Sequence, residues 1–400
     1  MINRFPKPAI LILAAMLLIP QCKKSEPVPT VTFMKTLGGG YADGGQAVQQ
    51  TSDGGYIITG YTYSNLTKSQ DIWLVKTNSS GDTTWTRTHG TGSFEIGRGV
   101  IQTSDGGYLV VGFSGPQAIG YHELLLVRTD RVGNALWGRT FMDAMSGLDR
   151  SIQQTSDGGY VMTGSARTPE GSLDKIWLVR MNSSGDTLWT KAWGSDEYTD
   201  YGNSVQQTSD GGFIIAGTIV ADGAVSIDMS LIKTDAHGDS IWAKTFGDSS
   251  DEAAHFVQQT SDGGYIILGV AGSFETDDYD IWLVKTDPSG NMTWDRTYGG
   301  SGFDEGYSLQ QTSDGGYIIA GYTESKGAGS PDVWLIKTDP SGIMIWEKVY
   351  GGHLEDIGWS VQQTSDGGYI VAGHTRSFGS GFNDLWLIKT DKDGNRTPLN

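Results

Sequence analysis

The sequence predicts an all-β chain: a seven-bladed β-propeller with four strands per blade, the last blade closed by the N-terminal strand. Three observations carry this. First, TSDGG occurs seven times, starting at Thr51, Thr103, Thr155, Thr208, Thr260, Thr312 and Thr364, with a spacing of 52 residues and one interval of 53. A period of that size belongs to solenoids, propellers or arrays. Second, each unit divides into four short runs rich in β-branched and aromatic residues, each about one strand long. Third, the last unit stops one run short, and the missing run stands at the other end of the chain.

Within a unit the first run reads SVQQT, as at 360–364. SDGG then suits a tight hairpin turn, with Ser and Asp bonding nearby amides and Gly taking positive φ. The second run is YIIAG (317–321), the third DIWLVKT (280–286), and the fourth carries a tryptophan, as in MTWDRTY (292–298). No window outside the N-terminal segment has a helical period. The seventh unit ends after DLWLIKT (384–390), while VTFMKTL (31–37) matches MTWDRTY with Phe33 in the tryptophan position. Pairing these two runs closes the ring and leaves no open sheet edge. The propeller is expected over 31–394, with a short tail at 395–400.

The stretch DPSGNMTW (287–294) resembles the tryptophan-docking motif of quinoprotein-type propellers, with Trp85, Trp137, Trp189, Trp242, Trp294 and Trp346 in the docking position. Its Asp-to-Trp spacing is one residue shorter than in that family. The whole repeat resembles secreted bacterial and archaeal SDGGY-repeat propellers, a likeness that implies the fold and no particular activity. Each docking tryptophan is expected to be buried between neighbouring blades, contributing on the order of 2–3 kcal/mol. A second tryptophan series in the third run (Trp73, Trp177, Trp282, Trp334, Trp386) reads as core. The residues that contact PQQ in quinoproteins have no match here, and no cofactor is expected.

The chain has 400 residues and a formal charge of −18, with no Lys/Arg run of nucleic-acid type, so no nucleic-acid partner is expected. Its single cysteine, Cys22, allows no intrachain disulfide. Arg4 and Lys7 precede an apolar run at 9–19, too short to span a bilayer and suited to a signal peptide. With Cys22 directly after it, segment 1–22 resembles a bacterial lipoprotein signal. Ile19 fits that family's aliphatic position, while Gln21 stands where a small residue is usual. The resemblance implies lipidation at Cys22, a tether over 23–30, and a cell-envelope location at the outer membrane or cell surface. The alternative is an ordinary secretory signal cut nearby.

Alternating strand direction sorts the connections onto two faces. The SDGG and DPSGN-type turns share one face and barely change between units. The second-to-third loops and the blade-to-blade loops share the other and diverge. Repeated turns suit a scaffold and divergent loops suit recognition. One position on the divergent face varies most: Gln46, Arg98, Arg150, Asn203, His255, Tyr307 and Trp359 in successive units. Aromatic, guanidinium and amide groups around one mouth suit a sugar or peptide.

Asp43, Glu95, Asp200, Glu252, Asp304 and Asp356 form a second series. They either ring the channel mouth, as weak candidates for a cation such as Ca2+, or serve structurally. In the structural case they accept loop amides or pair with the bases two residues past the docking position (Lys35, Arg87, Arg139, Lys191, Lys244, Arg296, Lys348). A third series (Asp71, Glu123, Asp228, Asp280, Asp332, Asp384) begins the third run. The DPSGN-type turns lack the spaced acids and terminal Glu of an EF-hand loop. No HExxH or tight His/Cys cluster is present, so no zinc site is expected. The leading expectation is a monomeric binding module for a glycan or protein, with no catalytic residue. The alternatives are a glycosidase or lyase using the Asp43-to-Asp356 acids, and a purely structural envelope protein.

Overall fold

The computed structural model describes residues 31–397 apart from 65–67, 116–122, 142–143, 146–150, 168–173, 196, 221–225, 249, 274–275 and 277. The signal-like segment with Cys22, the tether at 23–30, and Arg150 lie outside the described residues. Seven antiparallel sheets form the blades of a closed ring. Blade one comprises Asp43–Gln50, Tyr56–Ser64, Ser69–Thr77 and Thr83–His89, from innermost to outermost strand. Blades two to six repeat this order; in blade three the innermost strand is split into Ala144–Met145 and Ile152–Gln154. Among the described residues no helix is long and apolar enough to cross a membrane.

Blade seven comprises Asp356–Gln363, Tyr369–Thr375 and Asp384–Thr390, and its outermost strand is Phe33–Leu37 from the other end of the chain. Phe33 lies opposite Lys389, the register that Trp294 holds opposite Lys285 in blade five. The N-terminal strand therefore occupies the slot that its sequence likeness predicts.

Burial follows from stacking blades face to face. The two middle strands of a blade are covered on both sides, so Ile57 and Ile58, or Leu335 and Ile336, are all fully buried. Such strands read as continuous apolar runs because neither face meets water. The outermost strands alternate between exposed and half-buried residues. The docking tryptophans belong to these strands and are half-buried rather than buried, because one side of the outer strand faces solvent. Trp334 and Trp386 of the third strands are the fully enclosed ones.

The SDGG turn is a structural device. In blade one Thr51 Oγ1 and the Gly55 amide both donate to Asp53 Oδ1, at 2.5 and 3.0 Å. Gly54 has φ of 80°, and a Cβ on Gly55 would sit 2.1 Å from the Thr77 carbonyl oxygen. One glycine is needed for its dihedral and the other for close approach. The aspartate also pairs with a buried base of the third strand in all seven units: Lys76, Arg128, Arg180, Lys233, Lys285, Lys337 and Lys389. The aromatic residue after SDGG packs on the preceding blade's docking side chain, as Tyr108 does on Trp85 at 5.8 Å and Tyr56 on Phe33 at 6.1 Å.

The Gln-Gln pair fastens blade to blade. Its first glutamine accepts the amide of the next blade's second glutamine, as Gln310 does from Gln363 at 2.6 Å. The second accepts the amide of a neighbouring SDGG serine at every junction, and Ser365 to Gln50 closes the ring at 2.9 Å. In blade two Ile101 stands in the first position, and that unit cannot make the first bond.

Candidate functional site

The variable series sits on a backbone irregularity. In each of the six described units the ladder between the first two strands shifts register at this residue: Gln46, Arg98, Asn203, His255, Tyr307 and Trp359. Each is the extra residue of a β-bulge, which re-aims a side chain out of the regular alternation. The preceding residue is small throughout (Gly45, Gly97, Gly202, Ala254, Gly306, Gly358). A Cβ on Gly97 would lie 2.2 Å from Thr59 Oγ1 of blade one, so packing of the neighbouring blade demands a small residue beside the bulge.

The bulged side chains reach one another across blades. Arg98 Nη1 donates to Gln46 Oε1 at 2.6 Å. Asn203 Nδ2 donates to the Ala254 carbonyl at 2.7 Å, and His255 Nδ1 to the Gly306 carbonyl at 2.9 Å. His255 stacks on Tyr307 with centroids 5.6 Å apart, and Tyr307 packs on Trp359 at 4.4 Å. Contacts between residues 52 positions apart in the innermost strands of successive blades can arise only around the ring's axis. The mouth has an amide–guanidinium arc in blades one and two, continued by Asn203 in blade four, and an aromatic arc in blades five to seven. Arg150 of blade three is outside the described residues.

A second set of side chains supports the first, fifteen residues further on. Arg98 lies over the Phe113 ring at 5.0 Å, Tyr307 packs on Tyr322 at 5.9 Å, and Trp359 Nε1 donates to His374 Nδ1 at 3.0 Å. Sequence reasoning missed this set. Its signal was available as the variable residue directly after the YIIAG-type run, in Tyr61, Phe113, Thr218, Tyr322 and His374.

Two glutamates also join the aromatic arc. Tyr322 OH donates to Glu305 Oε1 at 3.1 Å, and His374 Nε2 meets Glu355 Oε1 at 3.1 Å. Because an indole N–H only donates, His374 Nδ1 is the acceptor and the imidazole proton sits on Nε2. The bond from His374 holds the Glu355 carboxyl below its ordinary value, while burial and the adjacent Glu305 push the Tyr322 phenol up. Glu355 is thus an ionised acceptor and Tyr322 a neutral donor.

The acidic series is buried and bonded to its own loops. Asp43, Glu95, Asp200, Glu252, Asp304 and Asp356 are each at most 4% exposed. Each accepts an amide of the loop that precedes it, for example Gly300 N to Asp304 at 2.8 Å and Gly352 N to Asp356 at 2.9 Å. The bases past the docking position turn elsewhere, to the next blade's outer turn: Lys35 pairs with Asp82, Arg139 with Asp186 and Lys191 with Asp239. At four junctions an acid of the first series and one of the third strand crowd a single glycine: Asp384 and Asp43 at Gly38, Asp228 and Glu252 at Gly247, Asp280 and Asp304 at Gly299, Asp332 and Asp356 at Gly351. Burial, followed by the neighbouring acid, raises Asp280, Asp332 and Asp384. Burial and nearby acids push Glu252 up to about 7. Among the described residues no group of three or more His, Cys, Asp or Glu gathers to hold a metal ion.

No protein-family profile matches the chain, and no curated protein does. Solved propellers do. The α-L-arabinanase of Penicillium chrysogenum, complexed with arabinobiose, is 12% identical with a TM-score of 0.53, over 92% of this chain and 99% of that one. The Pan2 WD40 domain of Neurospora crassa is 9% identical with a TM-score of 0.51, over 90% and 96% of the two chains. The propeller domain of the Trilobed protease from Pyrococcus furiosus is 10% identical with a TM-score of 0.51, over 90% and 100%. At such identities the likeness extends to the fold alone, and the chain is a seven-bladed β-propeller.

Proposed function

We propose that this chain is a binding module that takes a glycan at the channel mouth, on the face away from the SDGG turns. One observation carries the reading: a β-bulge in every described unit turns the most variable side chain toward its neighbours around the axis. The half-buried Tyr307 and Trp359 offer stacking for a sugar ring, and the half-buried Arg98 guanidinium offers directional bonds for its hydroxyls. A lipid anchor at Cys22 would hold this mouth at the cell envelope. The test is a panel of oligosaccharides and peptides titrated against the protein and against a variant carrying Arg98→Ala and Trp359→Ala. Binding of a glycan that the double variant loses supports the reading. A partner bound equally well by both proteins refutes it.

A second reading follows from Glu305 and Glu355, which flank the aromatic arc. Two carboxylates beside a bound sugar can hydrolyse it if their separation suits a retaining or inverting mechanism. The fold does not choose, since it hosts an arabinanase and a WD40 domain alike. Product analysis of any bound oligosaccharide decides between them: turnover abolished by Glu305→Gln and Glu355→Gln indicates an enzyme, and binding without products indicates a module.

A further inference from the structure

A concavity lies on the opposite face from the mouth. Between blades one and two, beside the SDGG turns, lies a groove of about 680 Å³ lined by Asp53, Lys76, Asn78, Trp85, Ser104 and Arg131, among others. The same groove recurs between blades six and seven, with about 310 Å³ and the equivalent residues Asp314, Lys337 and Trp346, joined by Lys392 and Asp393. Each has the docking indole and the aromatic residue after SDGG, Tyr108 or Tyr369, in its wall.

We infer that these two junction grooves are carbohydrate subsites for a neutral saccharide, distinct from the mouth. The charge balance leads to this class of ligand. The protein carries −18 overall, yet the first groove is lined by two acids and two bases (Asp53, Asp105, Lys76, Arg131), and so is the second (Asp314, Asp393, Lys337, Lys392). The SDGG aspartates are already matched: Lys76 Nζ holds Asp53 Oδ2 at 2.9 Å, with the lysine side chain 7% exposed and the aspartate 63%. A charged ligand therefore meets no local excess of opposite charge in the lining. The aspartate still presents its outer lone pairs to the groove, fixed by Thr51 and Gly55 from behind. A polyol can donate hydroxyls to it without any carboxylate having to be stripped of its counter-charge. The indole supplies the apolar wall on which the carbon face of a sugar ring rests. A volume of several hundred Å³ is that of a small-molecule site.

The experiment is independent of the mouth reading. Arabinobiose, cellobiose and chitobiose serve as neutral probes and a galacturonic-acid disaccharide as the charged one. Indole N–H shifts of Trp85 and Trp346 are followed by NMR in four proteins: wild type, Arg98→Ala with Trp359→Ala, Ser79→Trp and Ser104→Trp. Ser79 and Ser104 are exposed residues of the first groove, so either tryptophan fills it from the rim, and two variants guard against misfolding of one. The expected result is a neutral disaccharide that shifts Trp85 in wild type and in the mouth variant. Ser79→Trp or Ser104→Trp should weaken that response by roughly tenfold or more, while Trp346 continues to respond. The inference is overturned if no neutral probe shifts either indole, if the mouth variant alone abolishes the response, if filling the groove leaves it unchanged, or if the charged disaccharide binds in preference.

Discussion

Glu252 makes a pH-dependent prediction that can be worked from its surroundings. Its side chain is buried at the junction of blades four and five, 3% exposed, and its neighbours Asp248, Asp228 and Asp251 are all acidic. Burial first, and these acids after it, raise its carboxyl from 4.5 to about 7, against the single lowering bond from the Asp248 amide. In the unfolded chain the group titrates at its ordinary value. Between those two pH values the folded state holds more protons than the unfolded state, so stability falls as pH rises through the window and levels off above it. The full difference corresponds to about 3.4 kcal/mol; discounted for solvent screening, about 2 kcal/mol remains. Glu252→Gln keeps the shape and removes the titration. Urea unfolding of both proteins at pH 5, 6, 7 and 8 should show the variant gaining on wild type by about 2 kcal/mol across the series. A difference constant to within about 0.5 kcal/mol over that range would mean that Glu252 ionises freely, and the account of paired junction acids would fall with it.

Three further predictions concern the scaffold. Gly316→Ala should destabilise by about 3 kcal/mol, read from the denaturation midpoint, because its Cβ would meet the Thr338 carbonyl oxygen at 2.1 Å and Lys337 Nζ at 2.6 Å in a turn that cannot relax. Gln310→Leu should cost about 1–3 kcal/mol, since it leaves the Gln363 amide at the junction of blades six and seven without its 2.6 Å partner. The same measurement on Ile101→Ala should show only the loss of apolar packing, as no such bond exists there. Removing residues up to Leu37 strips the strand that pairs with Asp384–Thr390 and exposes an open edge; the truncated protein should aggregate or lose its single unfolding transition, and a monomer of unchanged midpoint would refute the closure.

Much of the fold was legible because the repeat states its local demands directly. TSDGG carries the donor, acceptor and two glycines of one turn, and the terminal runs carried their own pairing, down to Phe33 opposite Lys389. Less of the site could be read. The variable position stood out as Gln46, Arg98, Asn203, His255, Tyr307 and Trp359, but its neighbours did not. Phe113, Tyr322 and His374 join it from the second strand, and Glu305 and Glu355 occupy no common position in the repeat. The acids stayed open between two roles for the same reason: periodicity identifies equivalent residues without saying what surrounds them.

By itself the sequence determined the number of blades, the order of strands within each, the turns and the way the ring closes. The turns and strand order depend on short-range hydrogen bonding and strand length, which every unit specifies afresh, and the closure was legible because the N-terminal run repeats the fourth run that the last unit lacks. Only the tertiary structure decided which polar residues meet. The bulge that aims Trp359 arises from a mismatch between two strands, and its contact with Tyr307 joins residues that neither neighbour nor pair along the chain. Such encounters depend on how whole blades pack, a property no single repeat contains.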